Sequence, residues 1–350
     1  MVLSVMTRAR SEQIDLSSTS YYHCINRCVR RAFLCGRCNL SNKNYEHRKT
    51  WVVDRLAELA SVFAIEVCAY AVMSNHYHLV LRVNKDTADD WTEQEIIERW
   101  QQLFKLPLLV ERYTTGKTTS LAENKIAQDI IHTWRNRLMD ISWYMRMLNE
   151  YLARKANAED NCKGRFWEGR FKSQALLDDA AVLTCMSYVD LNPIRAAITD
   201  SLETSDFTSI QQRINQWKKM KPTTKSDDRE KHEPKVIQIN SKVPLASLIN
   251  SSDDTHVQSL GYLEKDYLEL VDWAGRTISA GKRGYIPDDV PSILHRLGLN
   301  ADNFVQHMQG KRPHLSLTQA LGRLNKLQDY ANQLGVKFIK GFKQTQAIYN

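Results

Sequence analysis

The sequence predicts an α+β fold, on three observations. Short runs rich in aromatic and β-branched residues stand at 21–26, 65–73 and 76–83. Longer stretches between and after them carry apolar residues at helical spacing. The runs at 65–73 and 76–83 are separated only by the turn pair Ser74-Asn75, so they predict an antiparallel hairpin.

Taken in chain order, residues 1–19 are rich in Ser and Thr and are expected to be loose. Tyr21-Tyr22-His23-Cys24-Ile25-Asn26 is the first strand. A helix follows over 45–63, where Trp51, Val52, Leu56, Leu59, Ala60 and Phe63 recur at helical spacing between charges. The apolar run 65–73 is short enough for a buried strand, and 76–83 is its hairpin partner. Residues 84–155 read as helical, most clearly at 91–104 and 124–147, with breaks at Pro107 and at Thr114-Thr115-Gly116. This makes 84–145 a helical insertion, long for a connection within a domain. Residues 164–170 are a basic and aromatic loop, and 171–176 a further strand. Asp178-Asp179 offers an N-cap to a helix bearing Val182, Leu183, Met186 and Val189 on one face, and Pro193 is expected to stop it.

Residues 218–234 contain one core-forming side chain, Met220, and predict a linker that extends to about 255. Residues 256–350 are then expected to form a helical C-terminal domain. Its apolar spacing runs through Tyr262, Tyr267, Leu270, Val271 and Trp273, and later Leu317, Ala320, Leu321, Leu324 and Leu327. The block at 20–217 is left as the domain that carries the chemistry.

Composition bounds the function. A chain of 350 residues exceeds one ordinary domain. Its 43% hydrophobic and 25% charged content excludes wholesale disorder. The 48 Lys and Arg against 40 Asp and Glu give +8, which suits a polyanionic partner without requiring one. No apolar run reaches the ~18–20 residues that span a bilayer. The opening MVLSVMTRARSEQ has its apolar stretch before its charge, the reverse of a signal peptide. A cytoplasmic protein without membrane contact is expected, and there the 7 cysteines stay reduced. Four of these crowd at Cys24, Cys28, Cys35 and Cys38. They read either as a zinc site, although paired CxxC spacing is missing, or as small buried residues.

Three clusters carry chemistry. His76-Tyr77-His78 places two imidazoles on one face of a strand, which can begin a divalent-metal site that still needs a third ligand. Most such pairs bind nothing, but Tyr77, Leu79, Leu81 and Val83 make the opposite face apolar and direct the histidines away from it. Tyr188 and Asn192 stand four apart on a helix. A tyrosine oxygen can attack phosphorus beside a metal, and an asparagine one turn away can supply the missing oxygen ligand. The plainer reading makes Tyr188 a helix-face residue and Asn192 a C-cap. The run Lys163-Gly164-Arg165-Phe166-Trp167-Glu168-Gly169-Arg170-Phe171-Lys172 interleaves cations, aromatics and glycines. Cations neutralise phosphates and aromatics stack on unpaired bases, so it reads as a single-stranded nucleic-acid contact or as a solvated loop. Arg27, Arg30 and Arg31 form a second basic run leaving the first strand.

Together these pieces resemble the single-tyrosine HUH transposases, in particular the REP-associated tyrosine transposases. The resemblance runs through YYHCINRCVRRAF, CAYAVMSNHYHLVL, GRFWEGRFKS and YVDLNPIRAAI in that order, and covers about residues 20–215. It implies a ferredoxin-like α+β domain, an antiparallel sheet with helices on one face. It implies a divalent metal, Mg²⁺ or Mn²⁺, on His76 and His78 with Asn192 as third ligand, and Tyr188 as the nucleophile. Arg27, Arg30, Arg31, Arg165, Arg170 and Lys172 would hold the DNA backbone, with Phe166, Trp167 and Arg195 as further contacts. The implied reaction is single-stranded DNA cleavage through a covalent 5′-phosphotyrosine and rejoining without ATP, as in DNA transposition at hairpin-forming repeats. Glu168 is a minor metal candidate. The long 84–145 insertion and the unit after the linker depart from compact members. The alternatives are a structure-specific DNA-binding or regulatory protein without cleavage, and a metal hydrolase in which water attacks. Monomer and dimer are both compatible with the sequence.

Overall fold

The structure is a computed structural model and describes residues 13–29, 34–36, 43–220, 243–249, 260–278, 303, 304, 306, 308, 319–337 and 339. The chain opens with β1 (Tyr21–Arg27), α1 (Arg48–Val62), β2 (Ile65–Val72) and β3 (His76–Val83). The helical stretch follows as α2 (Lys85–Asp90), α3 (Glu93–Gln101), α4 (Leu108–Thr114), α5 (Leu121–Leu138) and α6 (Ile141–Glu159). Then come β4 (Lys172–Leu176), α7 (Asp179–Asp190), α8 (Asn192–Arg195) and α9 (Ser209–Met220). The last described elements are β5 (Leu248–Ile249), β6 (Leu260–Leu263), α10 (Glu264–Ile278), β7 (Ala320–Leu321) and α11 (Leu324–Gln333).

Mixed α and β elements thus build around one five-stranded sheet in the order β2-β3-β1-β4-β7. The first four strands pair antiparallel, and β7 adds in parallel to β4. β1 lies between β3 and β4. Its register sets Arg27 opposite His76, Ile25 opposite His78, and His23 opposite both Val80 and Gln174.

Helices cover both faces of this sheet, which corrects the expectation of one covered face. On one face Tyr22, Cys24, Tyr77, Leu79 and Leu81 pack with Val52, Leu56 and Leu59 of α1 and Tyr144 and Leu148 of α6. On the other, Ala69, Ala71, Val80 and Leu176 pack with Leu183, Met186 and Val189 of α7 and Tyr267, Leu270 and Val271 of α10. The cause lies in β2, whose sequence IEVCAYAV is apolar at consecutive rather than alternate positions. A bulge between Val67 and Ala69 turns Cys68 and Ala69 alike toward α7.

α7 begins where its cap is expected, with Asp178 accepting a hydrogen bond from the Ala181 N–H at 2.8 Å. Its end differs. Pro193 does not stop the helical path but sits in the first turn of α8, where a proline's missing N–H costs nothing. The buried Asp190 carboxylate then ties three helices. It accepts from the Ser209 hydroxyl and the Ile210 N–H at the start of α9, the latter at 3.0 Å, and from the Tyr267 hydroxyl of α10 at 2.5 Å. Burial pushes this carboxyl up to about 6, against the Ser209 and Tyr267 hydrogen bonds.

Within the expected linker, 221–242 lies outside the described residues, while 243–249 runs beside β2, where the Ala246 N–H donates to the Val67 carbonyl at 2.9 Å. Two helical expectations in the later chain are corrected. Tyr262 belongs to β6, and Ala320 and Leu321 form a strand because β4 offers them an open sheet edge. Leu317 lies outside the described residues. Cys24, Cys28 and Cys35 are buried among apolar side chains, and burial pushes the Cys35 thiol up, away from the thiolate that zinc requires. Cys38 lies outside the described residues. No described helix is long and apolar enough to cross a membrane.

Candidate active site

Strand alternation in β3 sends His76 and His78 to the α7 side of the sheet, opposite the buried Tyr77. α7 crosses that side and brings Tyr188 in its last turn over the histidines. The ring centroids of His78 and Tyr188 are 5.8 Å apart, and those of His76 and His78 are 4.9 Å apart. Directly after α7, α8 supplies Asn192 and Arg195. The Asn192 Nδ2 donates to the Tyr188 carbonyl at 3.2 Å, which leaves its Oδ1 as the atom with lone pairs to offer.

These groups line a cleft of about 650 Å³. Arg27 enters it from the end of β1, and Arg170 and Lys172 from the approach to β4. Four cations, counting Arg195, thus face one carboxylate, Glu168. That balance suits a phosphodiester.

The floor of the site is buried. Burial holds His23 down to about 4, against the hydrogen bond with Gln174. Burial, then the Arg27 charge, holds His76 down to about 4. His78 is held well below the usual imidazole range by burial, then by His23, His76 and Arg195. Tyr188 is only 2% exposed, and burial raises its phenol, while the Arg195 charge and hydrogen bond pull it back. The Arg195 guanidinium carbon lies 4.3 Å from the Tyr188 ring centroid.

Of the expected site residues, His76, His78, Tyr188, Asn192, Arg27, Arg170, Lys172 and Arg195 all line the one cleft. Glu168 joins them. Arg165 is exposed and does not line it. Arg30 and Arg31 lie outside the described residues. Phe166 and Trp167 are corrected from base-stacking contacts to core residues, at 2% and 8% exposure. Trp167 packs edge-on against Tyr77 at 5.7 Å, and its Nε1–H donates to the Asn149 carbonyl at 2.9 Å. The Phe166 carbonyl accepts from the Val29 N–H at 2.9 Å. The loop therefore continues along β1, and its aromatics fill the core beneath while its cations turn out.

Two residues at the site were missed from the sequence, His23 and Gln174. The His23 Nε2 lies 2.9 Å from the His78 Nδ1, and the His23 Nδ1 lies 3.3 Å from the Gln174 Oε1. The available signal was alternation in β1, which puts His23 on the same side as Tyr21 and Ile25 and away from the buried Tyr22 and Cys24. Among the described residues no group of three His, Cys, Asp or Glu side chains is disposed to hold a metal. Asn192, whose amide such a grouping does not count, lines the same cleft as His76 and His78.

No family model matches the chain, and no curated protein matches it. A solved structure described as that of a REP-associated tyrosine transposase bound to a REP hairpin is similar to it at 12% identity and a TM-score of 0.35. The similarity covers 64% of this chain and 93% of that one. At that level it amounts to a distant relationship at most.

Proposed function

We propose that the chain is a metal-dependent single-stranded DNA endonuclease and strand transferase of the HUH tyrosine transposase type, with Tyr188 as nucleophile. The observation that carries this reading is the approach of Tyr188 to the histidine pair, 5.8 Å between the Tyr188 and His78 rings, inside a cation-lined cleft. The strand order β2-β3-β1-β4, joined by α1 between β1 and β2 and by helices between β3 and β4, supports the ferredoxin-like part of the reading.

The donor set fits a divalent cation. His76 and His78 offer ring nitrogens on one face and Asn192 an amide oxygen, and phosphate and water oxygens would complete the shell of Mg²⁺ or Mn²⁺. Bound there, the cation supplies Lewis-acid stabilisation of charge on the scissile phosphate. The remaining steps belong to the protein. Arg27, Arg170 and Lys172 neutralise the phosphates that lead into the cleft. Arg195, held over the Tyr188 ring, stabilises the phenolate as its proton leaves. The Tyr188 oxygen bonds to phosphorus, the bond from phosphorus to the 3′ oxygen breaks, and that oxygen departs as a hydroxyl after taking up a proton. The phosphotyrosine ester retains the bond energy, so a 3′ hydroxyl on another strand can reverse the step. Hairpin-forming repeats are the substrates that the sequence resemblance indicates.

One observation favours the rival reading of a structure-specific DNA-binding protein without cleavage: the Tyr188 side chain is almost wholly covered. The test is incubation with single-stranded and hairpin oligonucleotides in Mg²⁺ or Mn²⁺, followed by a denaturing gel. A covalent adduct lost in Tyr188→Phe supports the nucleophile. Binding without adduct under either metal supports the rival. Cleavage without adduct points to attack by water.

A further inference from the structure

The hydrogen-bonded chain beneath the site joins His78 to His23 and Gln174, two residues with no part in the proposed reaction. It starts at Gln174 on β4, passes through His23 on β1 and ends at His78 on β3, so it crosses three adjacent strands. All three side chains are buried. The two imidazole rings are inclined by only 16°, with centroids 5.2 Å apart. That separation is about the 2.9 Å between the facing nitrogens plus the two ring radii, so the rings meet edge to edge rather than face to face. An in-plane lone pair then lies along the bond, the geometry a ring nitrogen needs as an acceptor.

The direction of the chain follows from its first member. The Gln174 Oε1 has no proton and can only accept, so the proton between it and His23 sits on the His23 Nδ1. Each imidazole is buried, His23 beneath the cleft and His78 at its floor, and their hydrogen bonds run to Gln174 and to one another rather than to a carboxylate, so each is a neutral ring with one N–H. His23 therefore has a bare Nε2, which accepts, and the proton on the next bond sits on the His78 Nδ1. The His78 Nε2 is left as a bare lone pair. His76 reaches the same state separately, because its Nδ1 faces the Asn75 Oδ1 at 2.6 Å and must be the donor there. Both histidines of the pair thus present Nε2.

We propose that His23 and Gln174 are positioning residues that lock His78 as its Nδ1–H tautomer, so that its Nε2 lone pair is the one offered to a divalent cation. The tautomer stands on the hydrogen-bond chain alone. Its consequence for a cation rests on the proposed function. Outer partners that orient a ligating histidine and fix its tautomer typically account for about 10–100-fold in metal affinity. His23→Phe removes the acceptor and leaves the His78 Nδ1–H facing a hydrocarbon, which favours moving the proton to Nε2. His23→Gln retains an acceptor oxygen for the His78 Nδ1–H. Gln174→Leu removes the group that fixes the direction of the chain while leaving both rings in place.

The experiment uses the full chain with ¹⁵N-labelled histidine in EDTA at pH 7.5. Long-range ¹H–¹⁵N correlation spectra distinguish a protonated from a bare ring nitrogen, and the His78 signals are assigned by their loss in His78→Gln. The expected result is a protonated Nδ1 and a bare Nε2 on His78 in the wild type. His23→Phe and Gln174→Leu are expected to shift His78 toward the Nε2–H form, and His23→Gln to restore it. Calorimetric titration with Mn²⁺ alone should then show affinity about 10–100-fold weaker in His23→Phe, largely recovered in His23→Gln. Circular dichroism screens each variant for folding, and the wild-type spectrum stands even if one variant fails to fold. A wild-type His78 protonated at Nε2 overturns the proposal outright, as does an unchanged His78 tautomer in a folded His23→Phe. The expected tautomers without Mn²⁺ binding in the wild type leave the lock established and overturn instead the metal site of the proposed function.

Discussion

Replacing Asp190 with Asn should change stability in a manner that depends on pH in a stated direction. The carboxylate is fully buried, and it accepts from Ser209, from the Ile210 N–H and from Tyr267. Burial nevertheless dominates and lifts its pKa from 3.8 to about 6. A carboxyl raised on folding favours the folded state when protonated, so its contribution is fully present below about pH 3.8 and is lost as pH rises through 6. The whole shift is worth roughly 3 kcal/mol, at about 1.4 kcal/mol for each pKa unit. Between pH 5.5 and 7.5 linkage leaves about 1 kcal/mol of it. His23, His76 and His78 pull the other way, because their lowered pKa values stabilise the fold above the usual imidazole range and cease to do so as pH falls toward 4. The difference between wild type and Asp190→Asn cancels them, since Asn does not titrate and the histidines remain. Urea unfolding of both proteins in EDTA at pH 5.5 and 7.5 measures this difference. The wild type should gain about 1 kcal/mol on Asp190→Asn at the lower pH. An equal difference at the two pH values, or a gain at pH 7.5, would refute a raised Asp190.

Three further outcomes follow from the site. Trp167→Ala should destabilise the fold by about 3–5 kcal/mol, read by urea unfolding, because a buried indole packed on Tyr77 is removed; unchanged stability with weakened DNA binding would restore its expected stacking role. Arg170→Ala and Lys172→Ala should each weaken single-stranded DNA binding across sequences and flatten the salt dependence of affinity by about one unit in a fluorescence anisotropy titration. Removal of divalent metal with EDTA should abolish cleavage while hairpin binding persists, and Mn²⁺ should restore it; the same loss of metal response is expected in His76→Ala with His78→Ala.

Much of the frame was legible because period-two and period-3.6 patterns report which side of an element is apolar. The strand His76–Val83 has its expected bounds, and the alternation of Tyr77, Leu79, Leu81 and Val83 set the histidines on the opposite side. The Asp178 cap located α7, and with it Tyr188. What was not legible depends on neighbours distant in sequence. His23 meets His78 diagonally across a strand pair, 55 residues away, and nothing in TyrTyrHisCys distinguishes a histidine aimed at a site from one aimed at solvent. Phe166 and Trp167 lie between Arg165 and Arg170 in the sequence, which shows that both kinds of residue are near one another but not that the aromatics turn into the core, where Trp167 meets Tyr77 and Asn149. The second covered face of the sheet required the partner helices α7 and α10, and α10 meets Asp190 from 77 residues further along the chain. Ala320–Leu321 is a two-residue strand that exists because β4 has an edge, a fact no local propensity encodes.

The most direct measurement is a denaturing gel of the full chain incubated with labelled single-stranded and hairpin DNA in Mn²⁺, run for wild type and Tyr188→Phe together. A nucleophilic Tyr188 predicts a labelled band that migrates with the wild-type protein and is missing from Tyr188→Phe, although that variant still binds the DNA. The same band at equal strength in Tyr188→Phe would contradict it.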